Sequence, residues 1–145
     1  MIKIRFAVVG KIKESFYREA VAEYLKRLSR FADVSVFEAA ECKTLEEEAI
    51  LLRKIVRGSV FVLAIEGEKL SSEGFARKLK SYVDRGKELT FVIGSSCGLS
   101  SALKESADEK ISFSDMTFPH QLMRVILAEQ LYRAFMINAG SEYHK

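Results

Sequence analysis

Tryptophan is absent, proline occurs once, at Pro119, and cysteine and histidine occur twice each in 145 residues. Each shortage excludes something. Two thiols far apart in the chain, Cys42 and Cys97, make no disulfide framework and suit a reducing compartment. With only His120 and His144 beside them, a structural zinc site is not expected, nor any other metal. No apolar run approaches the roughly 20 residues that span a bilayer. Met1 leads directly into a strand-like segment, so the expectation is a cytosolic protein without membrane contact. Neither sign of charge dominates: 23 basic and 20 acidic residues leave a net +3 and a pI near 8.8. That balance permits contact with nucleic acid without requiring it, and no arginine-rich arm stands out.

What the chain does have is apolar residues, 48% of the total against 30% charged, enough for one globular domain with a sizeable core. Residues 2–9 are a short apolar run ending at Gly10, the pattern of a buried strand. Over residues 14–30, Phe16, Ala20, Val21, Tyr24, Leu25 and Leu28 recur at helical spacing, with Glu14/Arg18 and Glu23/Arg27 as outer i,i+4 pairs. Residues 34–37 predict a brief second strand. Thr44 and Glu47 have capping-box spacing and open a helix that turns Leu45, Ala49, Leu52, Ile55 and Val56 inward and stops before Gly58. Residues 59–65 read as a central strand covered on both faces and ended by Gly67. Ser71 or Ser72 caps the next helix, which presents Phe75, Leu79, Tyr82 and Val83 and ends at Gly86. Residues 89–93 form a strand that runs into Gly94-Ser95-Ser96-Cys97-Gly98 and a short helix capped near Ser100. A last strand covers residues 110–113, and a helix over residues 121–139 closes at Gly140.

This alternation predicts a single α/β domain with a mainly parallel sheet. In such sheets ligands sit beyond the carboxyl ends of the strands, which marks the loops at residues 66–69, 94–98 and 114–119. The glycine-bearing loop at 94–98 lets backbone N–H groups approach a ligand. It lacks the Gly-Lys-Ser/Thr of a Walker A loop and is no GxGxxG fingerprint, so by itself it is equally a plain turn. No dedicated His and Asn or Asp signature accompanies Cys97, so an inert thiol is the reading there. Ser114, Asp115 and Thr117 precede Pro119, a pattern that serves a ligand or simply caps the final helix. That helix is apolar on nearly every side, which in so short a chain points to a partner subunit on its second face. Arg124 stands among Leu122, Met123, Val125 and Ile126 and needs a carboxylate, a ligand or RNA phosphate if it is buried. The terminal Tyr143-His144-Lys145 is a frayed end or, by its mix of ring, imidazole and cation, a segment facing RNA.

Thr117-Phe118-Pro119-His120-Gln121 and Tyr143-His144-Lys145 resemble motifs of the RlmH family of SPOUT-class methyltransferases. So do Ala7-Val8-Val9-Gly10-Lys11, Leu63-Ala64-Ile65-Glu66-Gly67, Phe91-Val92-Ile93-Gly94 and Leu131-Tyr132-Arg133-Ala134, and the resemblance spans the chain. It implies an S-adenosylmethionine-dependent enzyme that methylates N3 of a pseudouridine in a hairpin of large-subunit ribosomal RNA on the ribosome. It further implies a homodimer and an α/β fold with a trefoil knot in the C-terminal half, where general rules favour an unknotted doubly wound sheet. By position it puts cofactor contacts at Leu63, Gly94, Phe113, Ser114, Asp115, Met116, Thr117 and Phe118. The family pattern usually has a second glycine after the first, and here Ser95 takes that place. If the position needs positive φ, Ser95 is strained.

Methyl transfer from a sulfonium needs no metal and rests on orientation and exclusion of water. The imide proton must leave, and His144, His120 and Asp115 are all open as its acceptor. The expected catalytic group is His144 with Arg133 or Arg124, the tail of one subunit reaching the pocket of the other. Two rival classes fit the same elements. One is a nucleotide- or flavin-binding enzyme, which lacks its phosphate fingerprint; the other is a non-catalytic dimeric RNA- or ribosome-binding module, which a strained Ser95 favours.

Overall fold

The computed structural model describes residues 1–86 and 88–143. The order is β1 (Ile2–Val9), α1 (Ser15–Leu28), β2 (Ala32–Ala39), α2 (Leu45–Ile55), β3 (Ser59–Lys69), α3 (Ser72–Asp84), β4 (Leu89–Ile93), α4 (Ser101–Ser106), β5 (Glu109–Ser112) and α5 (His120–Asn138). The five strands form one sheet in the order β2-β1-β4-β3-β5, every pairing parallel.

Alternation along the central strands decides which helix lies where. Ile4, Phe6 and Val8 of β1 and Leu89, Phe91 and Ile93 of β4 face a core shared with α1, α3 and α5. Ala7, Val9 and Val92 face the opposite way, onto Ala49 and Leu52 of α2 and Leu103 of α4. The helix starts follow local chemistry. Thr44, Ser71 and Ser100 each accept a backbone N–H three residues on, at 3.1, 3.0 and 3.1 Å, so the expected caps are in place. Among the described residues no helix is long and apolar enough to cross a membrane.

Three expectations need correction. Gly67 does not end β3, which continues to Lys69. Both Leu63 and Glu68 pair with Ile111, so β3 breaks register and steps past β5 at that residue. A Cβ on Gly67 would lie 2.7 to 2.8 Å from the backbone of Lys110 and Ile111, so the glycine is there for close approach rather than termination. Arg18 does not pair with Glu14; its guanidinium donates to the carbonyl of Ile12 at 3.0 Å, which ties the loop after β1 to α1. Phe16 does not face the core but stands 62% exposed, its ring 4.5 Å from that of Tyr17. The Glu23/Arg27 pair forms as expected, at 2.8 Å.

Behind the sheet edge, Glu109 of β5 accepts from Lys78 at 2.6 Å and from the Tyr82 hydroxyl at 2.7 Å, pinning α3 to β5. Burial raises the Glu109 carboxyl, but these two hydrogen bonds outweigh it and leave the group below the usual carboxylate range. Burial and the bond to Glu109 push the Tyr82 phenol up to about 12. The depressed carboxyl contributes stability above its unfolded pKa of roughly 4.3 that is lost as pH falls through the folded value. The raised phenol contributes stability below roughly 10 that is lost as pH climbs towards the folded value. Glu109→Gln is therefore expected to lose about 1 kcal/mol at neutral pH, a deficit that shrinks below about pH 4. Urea unfolding at several pH values checks it, and a deficit independent of pH would contradict the ionised pairing.

Candidate cofactor cavity and helix-borne tail site

Residues 63–66 of β3, residues 93–99 at the carboxyl end of β4 and residues 111–114 and 116–120 at the carboxyl end of β5 line a cavity of about 690 Å³, with Met123 and Lys104 in its wall. That size suits a ligand of a few hundred daltons. Apolar walls come from Leu63, Ile93, Leu99, Ile111, Phe113, Phe118 and Met123, and most of the polar lining is loop backbone and hydroxyls. Lys104 and Glu66 form an ion pair of 2.7 Å in the wall. The hydrogen bond from Lys104, supported by one from backbone, holds the Glu66 carboxyl below its ordinary range.

Each loop has a local reason for its course. After β5, Ser114 Oγ accepts from the Met116 amide at 2.9 Å, and Ser112 Oγ donates to the Ser114 carbonyl at 3.0 Å. The chain is thus turned by its own hydroxyls. Pro119, at φ −54°, then starts α5, and its carbonyl accepts from the Met123 amide at 3.0 Å. After β4, Ser95 and Gly98 form an antiparallel bridge that folds the loop back on itself. A Cβ on Gly94 would sit 2.3 Å from the Gly98 carbonyl oxygen, so only glycine fits beneath that turn. Among the described residues no non-glycine has positive φ, Ser95 included. The expected strain is absent, because the turn's left-handed residue is Gly98, at φ +89°.

Of the residues expected to contact cofactor, Leu63, Gly94, Phe113, Ser114, Met116, Thr117 and Phe118 line this one cavity. Asp115 does not; its side chain is 79% exposed and pairs with Lys69 at 2.6 Å. His120 is in the lining, in the first turn of α5.

The expected catalytic arginines lie elsewhere. Arg124 is 1% exposed, donating to Glu38 at 2.9 Å and to the carbonyls of Val9 and Gly10 at 3.1 and 2.6 Å. It joins α5 to the ends of β1 and β2, and its Nε has no hydrogen-bond partner among the described residues. Desolvation lowers its pKa, partly countered by Glu38. Arg133 is not among the residues that line the cavity. It pairs with Glu129 at 3.0 Å and lies 5.1 Å from the centre of the Tyr143 ring. The Tyr143 hydroxyl donates to Glu129 at 3.2 Å and its ring packs edge-on to Tyr132 at 4.9 Å. The tail is therefore seated on α5 as far as Tyr143, while His144 lies outside the described residues. Sequence reading missed Glu129 as the anchor of Tyr143, because nothing in their spacing reveals a contact made when the chain turns back after Gly140.

Residues 2–144 match the family model described as "Predicted SPOUT methyltransferase", and the chain belongs to that family. Within it, the chain is 47% identical to the ribosomal RNA large subunit methyltransferase H of Lactobacillus helveticus, over 99% of this chain and all of the relative. It is 46% identical, at the same coverage, to the protein of that name from Streptococcus gordonii. These relatives support the resemblance to the RlmH family. Among solved structures, a probable methylase family protein from Haemophilus influenzae superposes with a TM-score of 0.59 over 98% of this chain and 70% of that one. At 10% identity it speaks for the fold alone.

Proposed function

We propose that this protein methylates N3 of a pseudouridine in large-subunit ribosomal RNA, using S-adenosylmethionine, on the assembled ribosome and as a homodimer. The observation that carries this reading is the cavity built from residues 63–66 of β3 and the loops after β4 and β5, in a chain whose relatives are named as large-subunit RNA methyltransferases. Apolar walls for an adenine ring and unobstructed backbone in the 94–98 and 114–118 loops fit the cofactor. Leu63, Gly94, Phe113, Ser114, Met116, Thr117 and Phe118 would hold it, with Asp115 outside in its pair with Lys69. When bound, S-adenosylmethionine supplies an electrophilic methyl group on a sulfonium. The residues of this chain orient the acceptor and exclude water.

Subunit pairing follows from α5. Leu122, Val125 and Ile126 stay only half-buried on a helix whose other side is core. Pairing two such helices brings the Glu129, Arg133 and Tyr143 cluster of one subunit towards the cavity of the other, and this accounts for its distance from the cavity of its own chain. In that arrangement Arg133 and His144 face RNA, while Arg124 serves the fold. Threading of the chain past the β3 step at Gly67, giving a trefoil knot, belongs to the same reading. The non-catalytic alternative rested on strain at Ser95, and its backbone is unstrained.

The test is incubation of the purified protein and labelled S-adenosylmethionine with ribosomes lacking the modification, followed by mapping of the labelled nucleotide. One pseudouridine of the large subunit is expected to carry the label, with His144→Ala much slower and a bare hairpin unlabelled. With a weak net charge, recognition depends on a pre-shaped target. Calorimetry showing no binding of S-adenosylmethionine would sink the enzymatic reading.

A further inference from the structure

Glu48 of α2 is 5% exposed and makes no ion pair among the described residues. A carboxyl placed this way must be held by hydrogen-bond donors alone. It has two, from different loops. Its Oε2 accepts from the Cys42 amide at 3.0 Å, and its Oε1 accepts from the Ser95 hydroxyl at 3.2 Å. Ser95 Oγ in turn accepts from the Cys97 amide at 3.3 Å. A chain of hydrogen bonds therefore runs from helix α2, on the far face of the sheet, into the 94–98 loop of the cavity. The Gly98 carbonyl closes over Gly94 so tightly that no Cβ fits there, and Ser95, the next residue, is the one tied to Glu48.

We propose that Glu48 is a positioning residue for ligand binding in the cavity, acting through Ser95 as a latch that holds the 94–98 loop in its binding shape before ligand arrives. The inference rests on the reading of the cavity as the S-adenosylmethionine pocket. Glu48 touches no ligand there; its effect is to remove the need to order the loop on binding.

The measurement is calorimetry with S-adenosylmethionine on the full-length protein and on Glu48→Ala, Ser95→Ala and the double variant, with amide exchange of the 94–99 segment in ligand-free samples. Each single variant is expected to bind about tenfold more weakly, the factor that goes with losing one hydrogen bond to a carboxylate. The double variant should be no weaker than the worse single, and exchange in the loop should quicken in all three. The KM for S-adenosylmethionine should rise with kcat unchanged, which a general loss of folding would not produce. Should Glu48→Ala not fold, Ser95→Ala, at a half-buried position without positive φ, still reads out the latch. Parent protein that binds while the variants match it, or effects that simply add, would overturn the latch alone. Parent protein that fails to bind removes the cofactor reading and the latch with it.

Discussion

Gly94→Ala is expected to weaken S-adenosylmethionine binding on the order of a hundredfold, the effect that goes with misplacing a ligand-contacting loop by about an ångström. A Cβ at this position would stand 2.3 Å from the Gly98 carbonyl oxygen and 2.7 Å from its carbon, both backbone. Backbone atoms cannot swing aside as a side chain does. Relief therefore means opening the Ser95 to Gly98 bridge and pushing the turn into the cavity or away from it. Global stability should fall by only about 1–3 kcal/mol, the usual range for one inserted methyl group. Calorimetry beside thermal unfolding separates the two effects. A folded Gly94→Ala protein with parent affinity would show that the 94–98 loop plays no part in binding.

Arg124→Met is expected to destabilise the fold by about 3 kcal/mol, towards the lower end for breaking a buried pair because Glu38 keeps some contact with water. The substitution takes the guanidinium donor from the carbonyls of Val9 and Gly10 and from Glu38 Oε2, which keeps only the Ile12 amide at 3.3 Å. Arg124→Lys should recover little of this, since one ammonium does not reproduce the planar fork that reaches three acceptors on two strands. Urea denaturation gives the number. The opposite pattern, full stability with weakened ribosome binding, would restore Arg124 to the RNA-facing role its sequence position suggested.

The contrast between Arg124 and Arg133 marks how far the sequence could be read. Both lie on one apolar helix, and the sequence left either as the arginine to stand by the RNA. The choice depends on which side of α5 meets the ends of β1 and β2, and Glu38, the acid that claims Arg124, is 86 residues away. Asp115 shows the same limit on a shorter scale. It sits inside a run of cavity residues, yet its carboxylate turns out to Lys69 because the Ser114 turn reverses the chain there.

Local chemistry was enough for the elements themselves. Short apolar runs located the strands, and the Thr44, Ser71 and Ser100 hydroxyls located three helix starts, because each of these signals acts within a few residues. The strand-end rule likewise singled out the 94–98 and 114–119 loops, since parallel strands must all end on one side; residues 66–69 instead belong to β3, and only Glu66 of them lines the cavity. Tertiary structure alone decided what depends on distant residues meeting. The step of β3 past Ile111 requires Gly67 to lie on the backbone of β5. The bond from Ser95 to Glu48 spans 47 residues and crosses the sheet edge. The seat of Tyr143 on Glu129 and Arg133 exists only once the chain has turned back along α5. A sequence encodes its short-range hydrogen bonds and hydrophobic periods directly, whereas these contacts become favourable only after the sheet has brought their partners within reach.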